Sequence, residues 1–111
     1  MLPLLLTAAF EGKVPLGEVV RRCVVHPARI FGLQTKGALE IGKDAHIVLV
    51  HPDVEYELTD EQMLSKCGWT PFAGRKVRGE IEQVFIRGSL AYHQDGCVVV
   101  PGSGKPVLVQ V

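Results

Sequence analysis

The sequence predicts an α+β fold in which two N-terminal helices precede a mainly antiparallel run of strands. Apolar residues recur at helical spacing in the first third of the chain, and β-branched runs dominate after Gly37. A strand, a two-residue turn ending in Gly88 and a second strand form a hairpin signature. Helices that precede the strands, rather than alternate with them, favour α+β segregation, or pieces of two different layers, over βαβ units. We therefore expect one compact unit with a helical segment, residues 1–33, and a sheet portion, residues 37–111.

Two helices and a short helical turn are predicted before the sheet. The first covers residues 1–11, with a proline tolerated in its first turn and Gly12 as its C-terminal stop. It is apolar almost all round, so we expect it to be buried or to await a partner that buries it. The second covers residues 16–25, and Pro27 restarts a helical turn that Gly32 ends.

Two strand patterns follow the helices. Residues 47–50 form a continuous apolar run rich in β-branched side chains, which predicts a strand covered on both faces. The pair Pro52-Asp53 predicts a turn, and the alternation over residues 54–58 predicts a separate strand with one face in water. A short helical or turn segment is expected at residues 59–61.

The clearest strand signal is the hairpin. Residues 76–86 form a long strand pattern, Arg87-Gly88 breaks it, and residues 89–92 begin the return strand. Glycine in second place accepts the positive φ that a type I′ turn requires. Toward the C terminus we expect a tight turn, a β run and a terminal β run at residues 95–96, 97–100 and 107–111.

The composition narrows the classes of function. The 111 residues suffice for one domain, and 12 basic residues balance 12 acidic ones. This balance provides no field that would attract nucleic acid or an anionic membrane surface. No apolar run reaches the ~18 residues that a membrane span needs, and the apolar start lacks the positive n-region of a signal peptide. We expect no nucleic acid and no membrane among the partners.

Three cysteines indicate the compartment. Cys23, Cys67 and Cys97 are far apart, odd in number and without a CxxC pair. Neither a disulfide framework nor a zinc ribbon is therefore expected. Buried or half-buried free thiols in a reducing cytoplasm are the simplest interpretation.

The histidines do not form a metal-binding pattern. His26, His46, His51 and His93 include no HxH and no HExxH arrangement. His46 and His51 flank a strand at an odd separation, which places them on opposite faces. We expect none of the four to be a metal ligand.

The residues that could act as a nucleophile also lack a partner in the sequence. Ser65 and Cys67 lie beside Lys66, but no histidine lies near them in the chain to serve as a base. We expect Cys67 to pack beneath Trp69 instead. This stretch therefore predicts no catalytic residue.

Paired carboxylates have a structural interpretation as well. Glu80 and Glu82 share one strand face, and Arg78 and Arg87 flank them, which predicts a solvated ion-pair ladder. No GxGxxG motif and no P-loop appear, so no cofactor-binding residue is expected. The residues alone thus assign no catalytic, cofactor-binding or metal position.

Six stretches of the chain form a recognisable set; in chain order they are MLPLLLTA, HPARIFGL, IGKDAHIVLV, SKCGWTPFAGRKVRGEI, IRGSLAY and VVVPGSGK. Together they resemble the C-terminal end of a dihydroorotase, of the type found as one domain of the multifunctional pyrimidine-synthesis protein of animals. The resemblance covers nearly the whole chain. Two positions depart from the family pattern, since His26 stands where asparagine is usual and His46 where aspartate is usual.

The resemblance implies a scaffold without reactive groups. The family builds a (β/α)₈ barrel and a small β-sandwich assembled from both ends of the chain. Its zinc ligands and substrate-binding residues lie upstream of the stretch that matches Met1, so none is carried over to this sequence. By analogy, residues 1–33 would be the last barrel helices, a remnant without the strands that cover them. We expect the 111 residues to be inactive alone, with no cofactor of their own, although the complete enzyme uses zinc.

The missing barrel strands predict a partner. The apolar first helix and the open sheet edges could be covered by a homo-oligomer or by a complementary chain carrying the rest of the barrel. Two other interpretations stay open. The chain could be a non-enzymatic oligomerisation or interaction module derived from an amidohydrolase, or a segment of a dihydropyrimidinase or allantoinase.

Overall fold

Helices occupy the first third of the chain in a computed structural model that describes residues 1–107. Helix α1 is Leu2–Phe10, and helix α2, Leu16–Val20, continues through a π-helical turn, Arg21–Val25, into helix α3, His26–Ile30. The predicted break before Pro27 is therefore wrong, because the connecting residues keep right-handed helical angles. A wider π turn accommodates a proline that lacks an N–H and would crowd the preceding turn of a regular helix.

The strands form one antiparallel sheet within residues 1–107. Its order is β1-β2-β3-β4, and a 3₁₀ turn, Asp60–Gln62, follows β1. The strands are β1, Ile47–Glu57; β2, Lys76–Ile86; β3, Ser89–His93; and β4, Gly96–Cys97. The predicted α+β class with helices before an antiparallel sheet is confirmed, as is the helical segment after β1. A second layer of strands, expected for a β-sandwich, stays a prediction.

Strand β1 differs from the prediction in two ways. It is one strand rather than two, because a β-bulge between His51 and Glu55 absorbs the predicted turn. Pro52 is tolerated there since β1 is an edge strand. The expected cover on both faces is also wrong: Val48 and Leu49 are 45% and 42% exposed. Helix α1 packs against β2, and Val48 and Leu49 of β1 stay exposed beside it.

The hairpin forms as predicted. Strands β2 and β3 pair antiparallel, with Ile86 opposite Ser89 at the turn. Arg87 has φ 50° and Gly88 has φ 78°, the two positive values that a type I′ turn requires. The two turn residues therefore determine how β2 and β3, the central strands of the sheet, pair.

The segment after the hairpin contains less strand than expected. Strand β4 ends at Cys97, although the N–H of Val98 still donates to the carbonyl of Ala91 at 3.0 Å. The rest of the run to Val100 is exposed and unpaired in the sheet. Most of the predicted terminal run, residues 108–111, lies outside the described residues.

The core lies where α1 packs on β2. Leu6 and Val77 are buried there, and Gly79 allows the close approach. A Cβ on Gly79 would lie 2.9 Å from the ring of Phe10. No helix within residues 1–107 has the length and hydropathy that crossing a membrane requires.

Candidate functional site

Three groups of polar side chains within residues 1–107 are considered as candidate sites. One is a cluster before β1, one is a loop around Cys67, and one is the junction of α1 with the sheet. Within residues 1–107, no three histidine, cysteine or carboxylate side chains lie close enough to hold a metal ion. The zinc of the resembled family therefore fits no group of residues described here.

The first place is the β1-entry cluster, formed by Thr35, Lys36, Asp44 and His46. The Lys36 ammonium lies 2.8 Å from Asp44 Oδ2 and 2.7 Å from His46 Nε2. The Thr35 hydroxyl donates to the same Asp44 oxygen at 2.9 Å. The side chains of the cluster satisfy one another's hydrogen bonds. These bonds connect the loop after α3 to the start of β1.

The pKa values of Asp44 and His46 in the β1-entry cluster are both lowered. The hydrogen bonds from Lys36 and then from Thr35 hold the pKa of Asp44 below its ordinary value. Burial lowers the pKa of His46, and the charge of Lys36 lowers it further, although Asp44 acts in the opposite direction. His46 is thus favoured in its neutral form, in which Nε2 can accept a hydrogen bond from the Lys36 ammonium.

An open cavity of about 320 Å³ adjoins this cluster. Its lining combines the apolar residues Val25 and Leu33 with the cations Arg29, Lys36 and Lys43. Lys36 is bound to the β1-entry cluster, and Lys43 donates to the carbonyl of Gln34 at 2.8 Å. Two of the three cations therefore support the loop.

The second place is the loop around Cys67. This thiol is exposed, and it lies 3.2 Å from the hydroxyl of Ser65. The hydrogen bond with Ser65, and then that with the N–H of Trp69, lowers the pKa of Cys67. The expected burial of Cys67 beneath Trp69 is wrong, because the short loop follows a surface turn.

The other two cysteines are exposed as well. Cys23 lies on the π-helical turn and Cys97 ends β4. The expectation of buried or half-buried thiols is therefore wrong for all three. Spacing in the sequence could not indicate this, since exposure depends on which faces the helices and strands present to the core.

The third place is the junction of α1 with β2, which sequence analysis missed. Thr7 is 5% exposed, and its Oγ1 accepts the N–H of Arg78 at 2.8 Å. The same hydroxyl donates to the carbonyl of Pro3 at 2.7 Å. A single threonine in an apolar helix was the available signal, since a buried hydroxyl needs partners.

Arg78 extends this junction to β1. Its Nε donates to the carbonyl of Pro52 at 3.0 Å, and its Nη2 donates to Asp53 at 2.9 Å. Its guanidinium carbon lies 5.6 Å from the centre of the Phe10 ring. The junction is therefore a structural joint between α1, β2 and the bulge of β1.

The predicted ion-pair ladder does not form among the described residues. Arg78 pairs with Asp53 instead of Glu80 or Glu82, and Arg87 donates to the carbonyl of Ser103 at 2.7 Å. The reason is the bulge in β1, which brings Asp53 within reach of Arg78.

The histidines are distributed over four different elements or loops. His26 begins α3, His46 precedes β1, His51 lies in β1 opposite Glu80, and His93 ends β3. His93 Nδ1 accepts the N–H of Asp95 at 3.2 Å within its own turn. The structure therefore brings none of them together.

Comparison with known proteins gives the family. The sequence pattern of the amidohydrolase family matches residues 2–91. The chain belongs to the amidohydrolase family. This amidohydrolase chain is similar to the C-terminal part of proteins named dihydroorotase, as the sequence resemblance predicted.

Three curated relatives show the extent of the similarity. The chain is 35% identical over 104 residues to the dihydroorotase of Pyrococcus furiosus, and 44% identical over 106 residues to that of Halobacterium salinarum. It is 36% identical over 107 residues to the multifunctional protein CAD of Squalus acanthias. These matches cover 94% or more of this chain, but only 24% of each dihydroorotase and 4% of the multifunctional protein. The chain thus spans about a quarter of the length of the curated dihydroorotases.

Solved structures place the fold in the same family. The L-hydantoinase (dihydropyrimidinase) of Arthrobacter aurescens matches with a TM-score of 0.84 and 28% identity, over 88% of this chain and 22% of that chain. The D-hydantoinase of Bacillus sp. AR9 matches with a TM-score of 0.81 and 31% identity, over 89% and 23%. The helices and sheet of this chain therefore form a unit that recurs within longer amidohydrolases.

Proposed function

We propose that this chain is the C-terminal, non-catalytic segment of a dihydroorotase-like cyclic amidohydrolase. The main support is its similarity to dihydroorotases along almost its whole length, together with its span of only a quarter of theirs. Residues 1–33 would correspond to the last barrel helices, and residues 37–111 to the C-terminal share of a β-sandwich. The parent reaction would be the zinc-dependent, reversible cyclisation of N-carbamoyl-aspartate to dihydroorotate.

The role of the chain in that reaction is support. Several of its polar side chains are engaged in structural contacts, such as those of Lys36 with Asp44 and of Thr7 with Arg78. The metal ligands and the groups that touch substrate would come from the rest of the barrel. The chain alone is therefore inactive, and its partner is a complementary chain or a second copy, not nucleic acid or a membrane. The proposed location is the cytoplasm, since three exposed free thiols suit a reducing compartment.

An activity assay tests this proposal. The purified 111-residue chain, supplied with zinc, is incubated with dihydroorotate and separately with N-carbamoyl-aspartate. We expect no turnover above buffer, whereas a complex with a barrel-bearing amidohydrolase chain should turn over. Turnover by the isolated chain would overturn the proposal.

Histidine variants of the active complex give a sharper test. Replacing each histidine by glutamine in turn should leave kcat within about twofold, because none touches a metal or substrate. The four variants are His26→Gln, His46→Gln, His51→Gln and His93→Gln. Loss of turnover in a variant that still assembles would show that this chain supplies a catalytic group.

A second candidate function is a non-enzymatic oligomerisation or interaction module derived from an amidohydrolase. It is favoured by large apolar side chains at the surface, among them Ile30, Phe31 and Leu39. A stable assembly that binds no barrel-bearing chain and supports no turnover would select this function.

The parent could also be a dihydropyrimidinase or an allantoinase. The structural similarity to hydantoinases favours testing this alternative directly. Parallel assays of the active complex distinguish the possible parent enzymes by the substrate that is turned over best. The substrates are dihydrouracil, hydantoin, allantoin and dihydroorotate. The proposal predicts that dihydroorotate is turned over with the highest kcat/KM.

A further inference from the structure

Helix α2 and the π-helical turn after it carry an exposed apolar stripe. Leu16, Val20 and Val24 are each 46% exposed, and their spacing of four residues places them on one side of a helix. These three residues are called the α2 stripe below. Val19, on the neighbouring side, is 8% exposed, and α1 lies beside α2. The apolar side of the helix is therefore wider than the part that α1 covers.

The charged residues of the same helix lie away from the α2 stripe and bind one another. The carboxylate of Glu18 accepts hydrogen bonds from the guanidinium groups of Arg21 and Arg22. Arg22 follows Val20 by two residues, so it lies on the far side of the helix. The α2 stripe itself carries no charge. Covering it with another protein surface would therefore remove apolar surface from water without desolvating an ion.

The extent of the similarity to known proteins indicates what covers the α2 stripe. The amidohydrolase pattern matches residues 2–91 and so includes the stripe. The chain matches two solved hydantoinases over 88% and 89% of its length, but it spans only 22% and 23% of their chains. A unit of this kind thus recurs inside much longer polypeptides, in which the rest of the same polypeptide is its neighbour. An exposed apolar patch beside polar residues is typical of an interaction site.

We propose that the α2 stripe is the surface through which this chain docks on the remaining part of a dihydroorotase-like amidohydrolase. The inference rests on the proposed function and adds to it the face by which the two parts meet. The stripe presents side chains at i, i+4 and i+8, the spacing of a helix that lies in an apolar groove. Glu18, Arg21 and Arg22 then stay in water. A second copy of this chain is the competing occupant of the stripe.

Cysteine labelling tests which side of the helix is covered. The native thiols are exposed, so they are first removed by Cys23→Ser, Cys67→Ser and Cys97→Ser. Val20→Cys is then introduced into the isolated chain and into a chimera, in which this chain replaces the stretch that it matches in the Halobacterium salinarum dihydroorotase. Arg22→Cys is the matched control, because Arg22 lies on the same helix and its side chain is 71% exposed.

The rate of maleimide modification is the measurement. Val20→Cys should react about tenfold more slowly in the chimera than in the isolated chain, because the docked stripe excludes the reagent until the two parts separate locally. Arg22→Cys should react at similar rates in both. Equal protection of the two positions, or an unprotected Val20→Cys in a chimera that folds by circular dichroism, would overturn the proposal. Protection in the isolated chain that rises with its concentration would also overturn it, since a second copy would then be the occupant.

Two further measurements keep the docking surface separate from the proposed reaction. Val20→Lys should lower the urea midpoint of the chimera more than that of the isolated chain, and equal shifts would contradict the proposal. A chimera that turns over dihydroorotate but leaves Val20→Cys unprotected would refute the docking surface alone. A folded chimera that protects Val20→Cys without turnover would refute the proposed parent reaction alone.

A chimera that does not fold is replaced by a complex of two chains. This chain is mixed with the separately expressed remainder of the Halobacterium salinarum dihydroorotase, and the same labelling rates are compared before and after mixing. Slower modification of Val20→Cys, but not of Arg22→Cys, would support the docking surface. Unchanged rates for both positions in a complex that co-elutes on gel filtration would refute it.

Discussion

Thr7 joins the helical layer to the sheet through one hydroxyl. The β1 bulge interrupts the ladder beside Arg78, and the N–H of that residue donates to Thr7 Oγ1. The helix thus supplies an acceptor to the strand on which it packs. A buried donor that loses its acceptor costs its desolvation free energy, so this one hydrogen bond should contribute measurably to the stability of the fold.

Replacing Thr7 by valine should reveal that cost. Thr7→Val keeps the shape of the side chain but removes the acceptor, so the free energy of unfolding should fall by about 1–3 kcal/mol. Thr7→Ser keeps the hydroxyl and should lose less. Urea denaturation of the two variants measures the difference. Equal stability of Thr7→Val and Thr7→Ser would show that the hydroxyl contributes nothing.

His46 should make stability depend on pH. Its pKa is lowered in the folded chain, so between its folded pKa and its ordinary value the unfolded state binds more protons. The stabilisation is complete above about pH 6.5 and is lost as the pH falls through the folded pKa. Replacement by glutamine keeps a neutral acceptor for Lys36 and removes this dependence.

Urea denaturation at a series of pH values checks the sign. The free energy of unfolding of the wild-type chain should fall more steeply below pH 6.5 than that of His46→Gln. His51→Gln is the control, because His51 lies in β1 away from the Lys36–Asp44 pair. A parallel decline in the wild type and in His46→Gln would contradict the role of His46.

At the scale of elements, the contact of α1 with β2 depends on Gly79. Its φ is +99°, and an added Cβ would meet Phe10 at 2.9 Å and Leu6 at 3.3 Å. Gly79→Ala should therefore combine backbone strain with overpacking. Gly74→Ala isolates the strain, since Gly74 has φ +80° and open space around it.

The two alanine variants should differ by about 1–3 kcal/mol in the free energy of unfolding, with Gly79→Ala the less stable. Thermal and urea denaturation provide the measurement. If the two losses were equal, α1 would have moved away from β2 without cost, and the close approach would not be a stabilising contact.

Elements whose structure depends on local chemistry could be predicted from the sequence. The type I′ turn at Arg87-Gly88 needs only two residues that accept positive φ, and it appears where the sequence places it. Strand β1 could not be predicted in the same way. Pro52-Asp53 is typical of a turn, but the sheet edge absorbs it as a bulge.

At the scale of the whole molecule, Arg78 connects three parts of the fold. It bonds to Pro52 and Asp53 in the β1 bulge and lies over the ring of Phe10 in α1. Arg78→Met keeps an unbranched apolar side chain and removes these contacts. We expect a loss of about 1–3 kcal/mol in the free energy of unfolding.

The comparison with Asp53→Ala separates the parts of this joint. Asp53 is largely exposed, so its ion pair alone should contribute about 1 kcal/mol or less. Urea denaturation should therefore show a larger loss for Arg78→Met than for Asp53→Ala. Equal losses in the free energy of unfolding would show that Arg78 stabilises the fold only through its surface ion pair with Asp53.

The sequence by itself determined the order of helices and strands, the hairpin turn and the resemblance to dihydroorotases. These depend on neighbouring residues and on stretches of sequence that can be compared directly. Tertiary structure decided that Thr7 faces the sheet, that the three cysteines are exposed and that β1 is an edge strand of the sheet described within residues 1–107. These outcomes depend on which distant residues α1 and β2 bring into contact, and short-range spacing does not encode that contact.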